Sequence, residues 1–244
     1  EYSVPHPMED GLVIKINAAA ICGSDQHHIR NQTPHKPGCV GHEFVGTIIE
    51  MGPRANEAIH CYGGELKVGD RIAVYPHISC QHCEVCMTYG NGICCCDNDF
   101  IYGGMRPGSE GLLNHDPEVW PHFKGGFGEY VHIFPNTFVW KVPDDMPSKI
   151  AAILDPMAVA MRAVEQAMTS IGGLDEGIST TSTCLVIGAG PIGVMTGMIL
   201  KHMGVEKLIM SDFMDQKLEN AKNISGADIV INMAGLSTEE QIQK

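Results

Sequence analysis

The sequence predicts an α/β protein in two parts: a partly closed β-barrel-like domain of short strands, then an incomplete doubly wound parallel sheet. Three observations predict it. Short apolar stretches separated by Gly, Pro and Asp recur through the first half of the chain, at the spacing of an antiparallel β domain. From Ser148 the texture changes, becoming rich in Ala and Met with helical spacing. From Thr183 onward, strand-like and helix-like stretches alternate in a β-α-β-α-β run. The expected boundary divides residues 1–147 from 148–244.

At 244 residues the chain is long enough for one large domain or two ordinary ones. Hydrophobic residues make up 44% and charged residues 18%, a globular composition. The formal charge of −13 comes with no basic patch to neutralise phosphates, which argues against nucleic acid as a partner. No apolar run reaches the length of a membrane span, so no membrane partner is expected. No signal peptide is visible, and because the chain starts at Glu1 rather than Met, a segment before it could carry one. Ten cysteines would suit a secreted disulfide scaffold only in a much smaller chain. Their clustering favours metal ligation in a reducing compartment, so a cytoplasmic location is expected.

In chain order, residues 11–21 (GLVIKINAAAI) read as a strand, with period-two alternation from Val13 onward. Residues 31–41 carry Pro34, Pro37 and Gly38 and read as a loop. Phe44 to Glu50 is a second strand, ended by Gly52-Pro53. Gly69-Asp70 makes a turn into a strand that runs to Tyr75. Residues 97–124 form a long surface excursion containing His115 and His122. Strand character returns over Gly125–Ile133, and the β domain ends near Pro143–Pro147.

Two groups of residues in this half carry metal chemistry. Cys22-Gly-Ser-Asp-Gln-His27-His28, followed by Gly41-His42-Glu43, supplies a thiolate, an imidazole, a carboxylate and a hydroxyl. Zinc prefers sulfur and nitrogen, and a catalytic zinc takes three protein ligands and leaves one position open. Cys22 and His42 are two such ligands. A Cys and a His this far apart are more often a buried thiol and a surface imidazole, so the pair needs support from the rest of the chain. The second group is Cys80, Cys83, Cys86 and Cys94, three cysteines at intervals of three and a fourth after a Gly-containing loop. Four thiolates at this spacing close a tetrahedron and make a structural site. Cys95 and Cys96 adjoin Cys94, so the fourth ligand is one of three. His82 is expected to face solvent.

In the second half, Asp155-Pro156 interrupts the helical stretch from Lys149 to Met168. Proline is tolerated in a first helical turn, which places Asp155 at a helix N-terminus. A capping aspartate and a functional one fit that position equally well. Thr183–Ile187 is an apolar strand, expected to be buried on both faces. Gly188-Ala-Gly190-Pro191-Ile192-Gly193 follows at once and opens a helix to about His202. Lys207–Ser211 is the next strand and ends in Asp212, Lys217 to Asn223 is helical, and Asp228–Ile231 is the third strand. A glycine fingerprint after a strand, before a helix, with an acid at the end of the next strand is the context a dinucleotide site requires. Gly188 permits the turn, Gly190 lets the backbone approach a pyrophosphate, and Gly193 allows close packing of helix on strand. The helix N-terminus offers free N–H groups to the phosphates. Asp212 would accept from the adenosine ribose and repel a 2′-phosphate, which favours NAD over NADP.

Taken together, the Cys-Gly-Ser-Asp and Gly-His-Glu motifs, Val-Gly-Asp-Arg at residues 68–71, the four-cysteine loop and the dinucleotide fingerprint stand in one order. In that order the chain resembles the zinc-dependent medium-chain alcohol and polyol dehydrogenases, in the branch that includes sorbitol and threonine dehydrogenases. The resemblance implies a GroES-like partly closed β-barrel domain followed by a Rossmann domain, with the active site in the cleft between them. It implies a catalytic zinc held by Cys22 and His42, with Glu43 beside the metal or as a transient ligand. The polyol and threonine branch adds a Glu-Pro carboxylate opening a helix. Asp155-Pro156 holds that place here, with an acid one methylene shorter, so Asp155 becomes the third ligand to expect. Asp25 would hold the second nitrogen of His42, as is usual for metal-bound imidazoles.

The same resemblance implies a structural zinc on Cys80, Cys83, Cys86 and Cys94. It implies an adenosine contact from Lys217, for which a solvated helix lysine is nearly as good an account. Ser24 resembles the relay hydroxyl, and His27 the imidazole that passes a proton to solvent, with His28 next in line. An open zinc position acidifies a hydroxyl compound, whose carbon then gives hydride to NAD. The expected substrate is a small secondary alcohol or polyol, and the full-length protein is expected to be a homo-oligomer. Three strands are only half of a doubly wound nucleotide sheet, with the strand around Leu185 left as an apolar edge. The expectation is therefore a piece of a chain roughly a hundred residues longer. The alternative is a non-catalytic zinc- and nucleotide-binding protein on the same scaffold.

Overall fold

The computed structural model describes residues 3–30, 40–90, 96, 98–103, 122–168 and 177–243. The loop expected at 31–41 and the excursion at 97–124 therefore fall largely outside the described residues. In chain order the elements are β1 (Leu12–Ala20), α1 (Gly23–Arg30), β2 (Glu43–Met51), α2 (Ala55–Ala58), β3 (His60–Tyr62), β4 (Arg71–Val74), β5 (His77–Ile78), α3 (Glu84–Tyr89), β6 (Phe100–Ile101), β7 (Tyr130–Ile133) and β8 (Phe138–Lys141). Then follow α4 (Ser148–Ala151), α5 (Leu154–Met168), β9 (Thr183–Ile187), α6 (Pro191–His202), β10 (Lys207–Asp212), α7 (Asp215–Asn220), a π-helical turn (Ala221–Ser225), β11 (Ile229–Asn232) and α8 (Thr238–Gln243).

The chain divides into two compact units, Glu1–Asp155 and Pro156–Lys244. The division falls later than the expected 147/148. The reason is packing: Ala151 and Ala152, at the end of α4, are buried with Val45 and Ala73 of the first sheet.

The first unit is built on a six-stranded sheet in the order β3-β8-β4-β2-β1-β7. β3 and β7 are its two edges, so the sheet is open among the described residues. β1 and β2 run antiparallel in a register that spans Leu12↔Met51 to Ala20↔Glu43. Leu12, Ile14, Phe44, Ile48, Ile72, Val131, Ile133 and Val139 bury one core. Phe100, Tyr102 and Phe134 join that core through edge-to-face and stacked rings. The Tyr102 hydroxyl is fully buried and needs partners there. It accepts from the Phe134 N–H at 2.8 Å and bonds the Thr137 hydroxyl at 2.8 Å. β5 and β6 form a separate two-stranded pair that frames the cysteine-bearing loop.

The second unit is a parallel three-stranded sheet in the order β11-β10-β9. Leu200 of α6 and Leu218 of α7 pack with Cys184, Leu208 and Met210 of the strands. The expectation that β9 is buried on both faces does not hold. Cys184 is buried, but Leu185 is 57% and Ile187 83% exposed. Among the described residues β9 has a single neighbour, β10, and leaves Leu185 and Ile187 exposed. Apolar, β-branched composition specified a strand there without specifying what lies against it.

The turn between β9 and α6 is tied to the end of β10 by Asp212. One carboxylate oxygen accepts from the Ala189 N–H at 2.9 Å, and the other from the N–H groups of Phe213 at 2.8 Å and Met214 at 3.0 Å. These bonds, the Ala189 one first, hold the Asp212 carboxyl below its ordinary value.

Two stability measurements follow from these contacts. Tyr102→Phe leaves the buried Phe134 N–H without an acceptor, and chemical denaturation is expected to show a loss of about 1–3 kcal/mol. Asp212→Asn is expected to cost about 2 kcal/mol at neutral pH, the range for hydrogen bonds to a charged group. A carboxyl whose folded value is depressed stabilises above the unfolded value and loses that contribution as the pH falls through the folded one. The gap between Asp212→Asn and the parent is therefore expected to close on acidification below the ordinary carboxylate range. A gap that stays constant with pH would assign the loss to something other than the charge.

Candidate metal centre and nucleotide site

The β1–β2 register explains why Cys22 and His42 meet. Ala20 lies opposite Glu43, so the residues that leave β1 and those that enter β2 emerge side by side. Gly41 turns the chain into His42 with a φ of +91°, in the left-handed region, and a Cβ there would strike the Phe127 ring at 2.5 Å. The Gly41 carbonyl accepts from the Gly126 N–H at 2.7 Å, and the Val40 carbonyl from the Phe127 N–H at 3.0 Å. These bonds fix the approach to His42. On the other side, Asp25 in the first turn of α1 reaches back and accepts from the Cys22 N–H at 2.9 Å.

The result is a group in which one donor atom from each of Cys22, His42 and Glu43 lies within 4.8 Å of the others. Asp25, 1% exposed, also faces the His42 ring, with Oδ1 at 3.7 Å from Nδ1. That is an ion-pair distance and longer than a hydrogen bond. Asp155 opens α5 as expected, with Pro156 after it in the first turn. Its carboxylate stands outside the three-residue group but within electrostatic reach of His42 and Glu43.

Burial raises the Glu43 carboxyl above its ordinary value; His42 lowers it, Asp155 raises it, and the Cys22 thiol lowers it through a hydrogen bond. Burial also raises Asp155, against the opposing pull of His42 and His77. Two carboxyls and a thiol thus crowd around one imidazole, with acceptor charge in excess. A divalent cation of the kind held by Cys, His and carboxylate ligands fits that donor set.

A second group contains Cys80, Cys83, Cys86 and Cys96, whose sulfurs all lie within 4.8 Å of one another. The Cys83 N–H donates to Cys80 Sγ at 3.4 Å and the Cys80 N–H to Cys96 Sγ at 3.3 Å. Of the three adjacent cysteines left open by the spacing, Cys96 is the one seen here with the other three. Cys94, named above as the fourth ligand, lies outside the described residues. Burial pushes the Cys96 thiol up to about 12 and raises Cys86 as well. Four converging sulfurs, three of them from buried cysteines, suit a tetrahedral zinc site. His82 is exposed, and its Nδ1 pairs with the Cys80 carbonyl at 2.7 Å.

Ser24 and His27 lie three residues apart on α1 and are both exposed. Residues at that spacing share a helix face. The side chain of His28 lies outside the described residues. Sequence reasoning missed His77, whose Nδ1 pairs with the buried Asp99 at 3.1 Å. No motif spacing marks these two residues.

In the second unit, Gly188 adopts a φ of +99° and Gly193 leaves no room for a side chain, since a Cβ would meet the Gly188 carbonyl at 1.9 Å. Pro191 and Ile192 start α6, with Gly190 as its N-cap. A Cβ on Gly190 would meet nothing within 4 Å, so that backbone is open to a ligand. Ile187, Gly188, Asp212 and Phe213 line a hollow of about 440 Å³. Lys217 Nζ lies 3.9 Å from Asp212 Oδ2.

Residues 8–144 match the alcohol dehydrogenase GroES-like domain family. Over 98% of its length the chain is 31% identical to L-threonine 3-dehydrogenase of Pseudoalteromonas translucida, and it spans 60% of that relative. Galactitol-1-phosphate dehydrogenase of Escherichia coli superposes with a TM-score of 0.74 at 26% identity, over 100% of this chain and 60% of that one. The alcohol dehydrogenase RspB of E. coli CFT073, solved with NADH, gives 0.73 at 30% identity over 99% and 60%. A zinc-binding dehydrogenase of Sinorhizobium meliloti, solved with NADP, gives 0.72 at 26% over 95% and 57%. The chain thus spans about 60% of the length of these relatives. Among the described residues no helix is long and apolar enough to cross a membrane. On the match to its domain family and these likenesses, the chain belongs to the zinc-type medium-chain dehydrogenases.

Proposed function

We propose that this chain carries the metal and nucleotide sites of a cytoplasmic, zinc-dependent oxidoreductase that passes hydride from a secondary alcohol or polyol to NAD. The observation that carries this reading is the gathering of Cys22, His42 and Glu43 donors within 4.8 Å, apart from the closed four-cysteine group. A binding scaffold has use for the closed group; an open thiolate-imidazole-carboxylate group is what chemistry on a ligand requires. The threonine and galactitol phosphate dehydrogenases it resembles support the hydroxyl-bearing substrate class.

Cys22 and His42 would hold the catalytic zinc, with a carboxylate from Asp155 or Glu43; of these two, Glu43 stands in the tight group. Cys80, Cys83 and Cys86 would hold the structural zinc with Cys96 or Cys94. When bound, zinc would supply Lewis-acid polarisation of the substrate hydroxyl, and the nicotinamide would take the hydride. The chain's own part is to move the proton. Ser24 takes it on its hydroxyl and hands it to His27, whose exposed ring delivers it to water. Gly188, Gly190, Pro191, Ile192 and Gly193 present backbone to the pyrophosphate, and the α6 N-terminus faces its charge. Asp212 supports NAD over NADP, since an acid at the end of the second strand of this motif accepts from ribose hydroxyls and would repel a 2′-phosphate. Lys217 steadies that carboxylate.

The test is an assay of the protein carrying this chain, with NAD and NADP against polyols, threonine and simple secondary alcohols. NAD-linked oxidation within one hydroxyl class is expected. Ser24→Ala is expected to lower kcat on the order of a hundredfold, as loss of a proton-transfer group does, with zinc content unchanged. A protein that holds zinc and nucleotide but turns over none of these compounds would be the non-catalytic scaffold instead.

A further inference from the structure

Three stretches of backbone meet at the turn that leads into His42 and Glu43, and they meet at glycines. Gly41 is buried and holds its left-handed φ of +91° there. Its carbonyl accepts from the Gly126 N–H at 2.7 Å. A Cβ on Gly103 would strike the Gly41 carbonyl and nitrogen, so those two backbones lie against each other. The Gly103 N–H donates to the Lys124 carbonyl at 2.9 Å, which ties the second stretch to the third. A ring also lies against Gly41. A Cβ on Gly41 would meet Cδ1, Cε1 and Cγ of Phe127 at 2.5, 2.8 and 2.8 Å. The Phe127 N–H donates to the Val40 carbonyl at 3.0 Å, which pins that residue beside the turn. Phe127 is 42% exposed, whereas Phe44, Phe100 and Phe134 are exposed by 2% or less. Burial in the core therefore does not account for where this ring stands.

We propose that Phe127 is a positioning residue: its ring fills the space a side chain on Gly41 would take, restrains that glycine, and so holds His42 in the geometry its metal needs. The metal site meant is the one assigned above, and the proposal rests on that reading. The physical basis is the freedom of glycine. Without a Cβ, Gly41 has access to many backbone conformations, and the residue after it inherits that latitude. The left-handed φ favours glycine at this position, so the restraint has to come from outside the residue. A packed ring supplies it by contact, since closely packed groups transmit displacement. His42 follows Gly41 directly, and its donor nitrogen lies within 4.8 Å of the donors of Cys22 and Glu43. Asp25 faces the His42 ring, with Oδ1 3.7 Å from Nδ1, while Phe127 constrains the backbone that carries it. The Phe127 ring takes no proton and makes no bond to metal. It acts through Gly41 alone.

The experiment compares Phe127→Ala and Phe127→Tyr with the parent protein, with zinc left in the four-cysteine group. The readouts are zinc affinity at the Cys22 site by chelator competition and the visible absorption of cobalt(II) placed there. Phe127→Ala is expected to weaken that affinity on the order of ten- to a hundredfold, the scale seen when a group that orients a metal ligand is lost. The cobalt spectrum is expected to shift, and the four-cysteine group to keep its ion. Phe127→Tyr keeps the ring and is expected to restore both readouts. If Phe127→Ala loses both ions, Phe127→Leu takes its place, since it keeps apolar bulk without the flat ring. Parent affinity and an unshifted cobalt spectrum, in whichever of these variants keeps the four-cysteine ion, would overturn the proposal. So would a Phe127→Tyr protein as impaired as Phe127→Ala. A merely structural ring would lower the unfolding midpoint and leave the cobalt spectrum where it was. Neither metal readout needs turnover, so a failed substrate panel would sink the proposed function and leave this positioning role to be decided on its own.

Discussion

Acids and thiols gathered in the interior are the constraint that organises the first unit. Cys86 and Cys96 are forced toward the neutral thiol by burial, and Glu43 and Asp155 toward the neutral acid. Burying such groups together is costly unless something positive joins them. The chain does it twice, in two different ways. Around Cys80, Cys83, Cys86 and Cys96, four sulfurs converge. Around Cys22, His42 and Glu43 three chemistries converge, and among the described residues no fourth donor stands at the same range.

Ordinary backbone devices deliver both groups. An antiparallel register brings the end of β1 to the start of β2, and a left-handed glycine aims His42. Asp25 then ties Cys22 from below and faces the His42 ring. A two-stranded hairpin base gathers the cysteines, and His77 with Asp99 spans it. In the second unit the same economy recurs without a metal. Gly188 and Gly193 shape a turn, and Asp212 fastens that turn by accepting from the Ala189 N–H.

Much of this was legible in the residues themselves. Cys80, Cys83 and Cys86 announce their site because spacing on a short loop alone brings them together. The glycines and Asp212 announce theirs because the turn admits few other residues. Cys22 and His42 were legible only through the company they keep, since strand pairing rather than local spacing unites them. The fourth cysteine was not legible: Cys94, Cys95 and Cys96 are adjacent in sequence, and among the described residues Cys96 stands with the other three. His77 and Asp99 were invisible for a related reason. They are far apart in sequence, and their contact follows from the β5–β6 register. β9 stands at the sheet edge as expected, but the burial of its faces was misjudged, because an apolar strand looks the same in sequence whether one face or both are covered.

Zinc K-edge X-ray absorption on the purified protein tests the two-centre account most directly. Two zinc ions per chain are expected, in a mean environment that mixes sulfur with nitrogen and oxygen, and Cys22→Ser should leave one ion in an all-sulfur shell. An all-sulfur shell at one zinc per chain in the unaltered protein would contradict the account, because the Cys22, His42 and Glu43 group would then hold no metal.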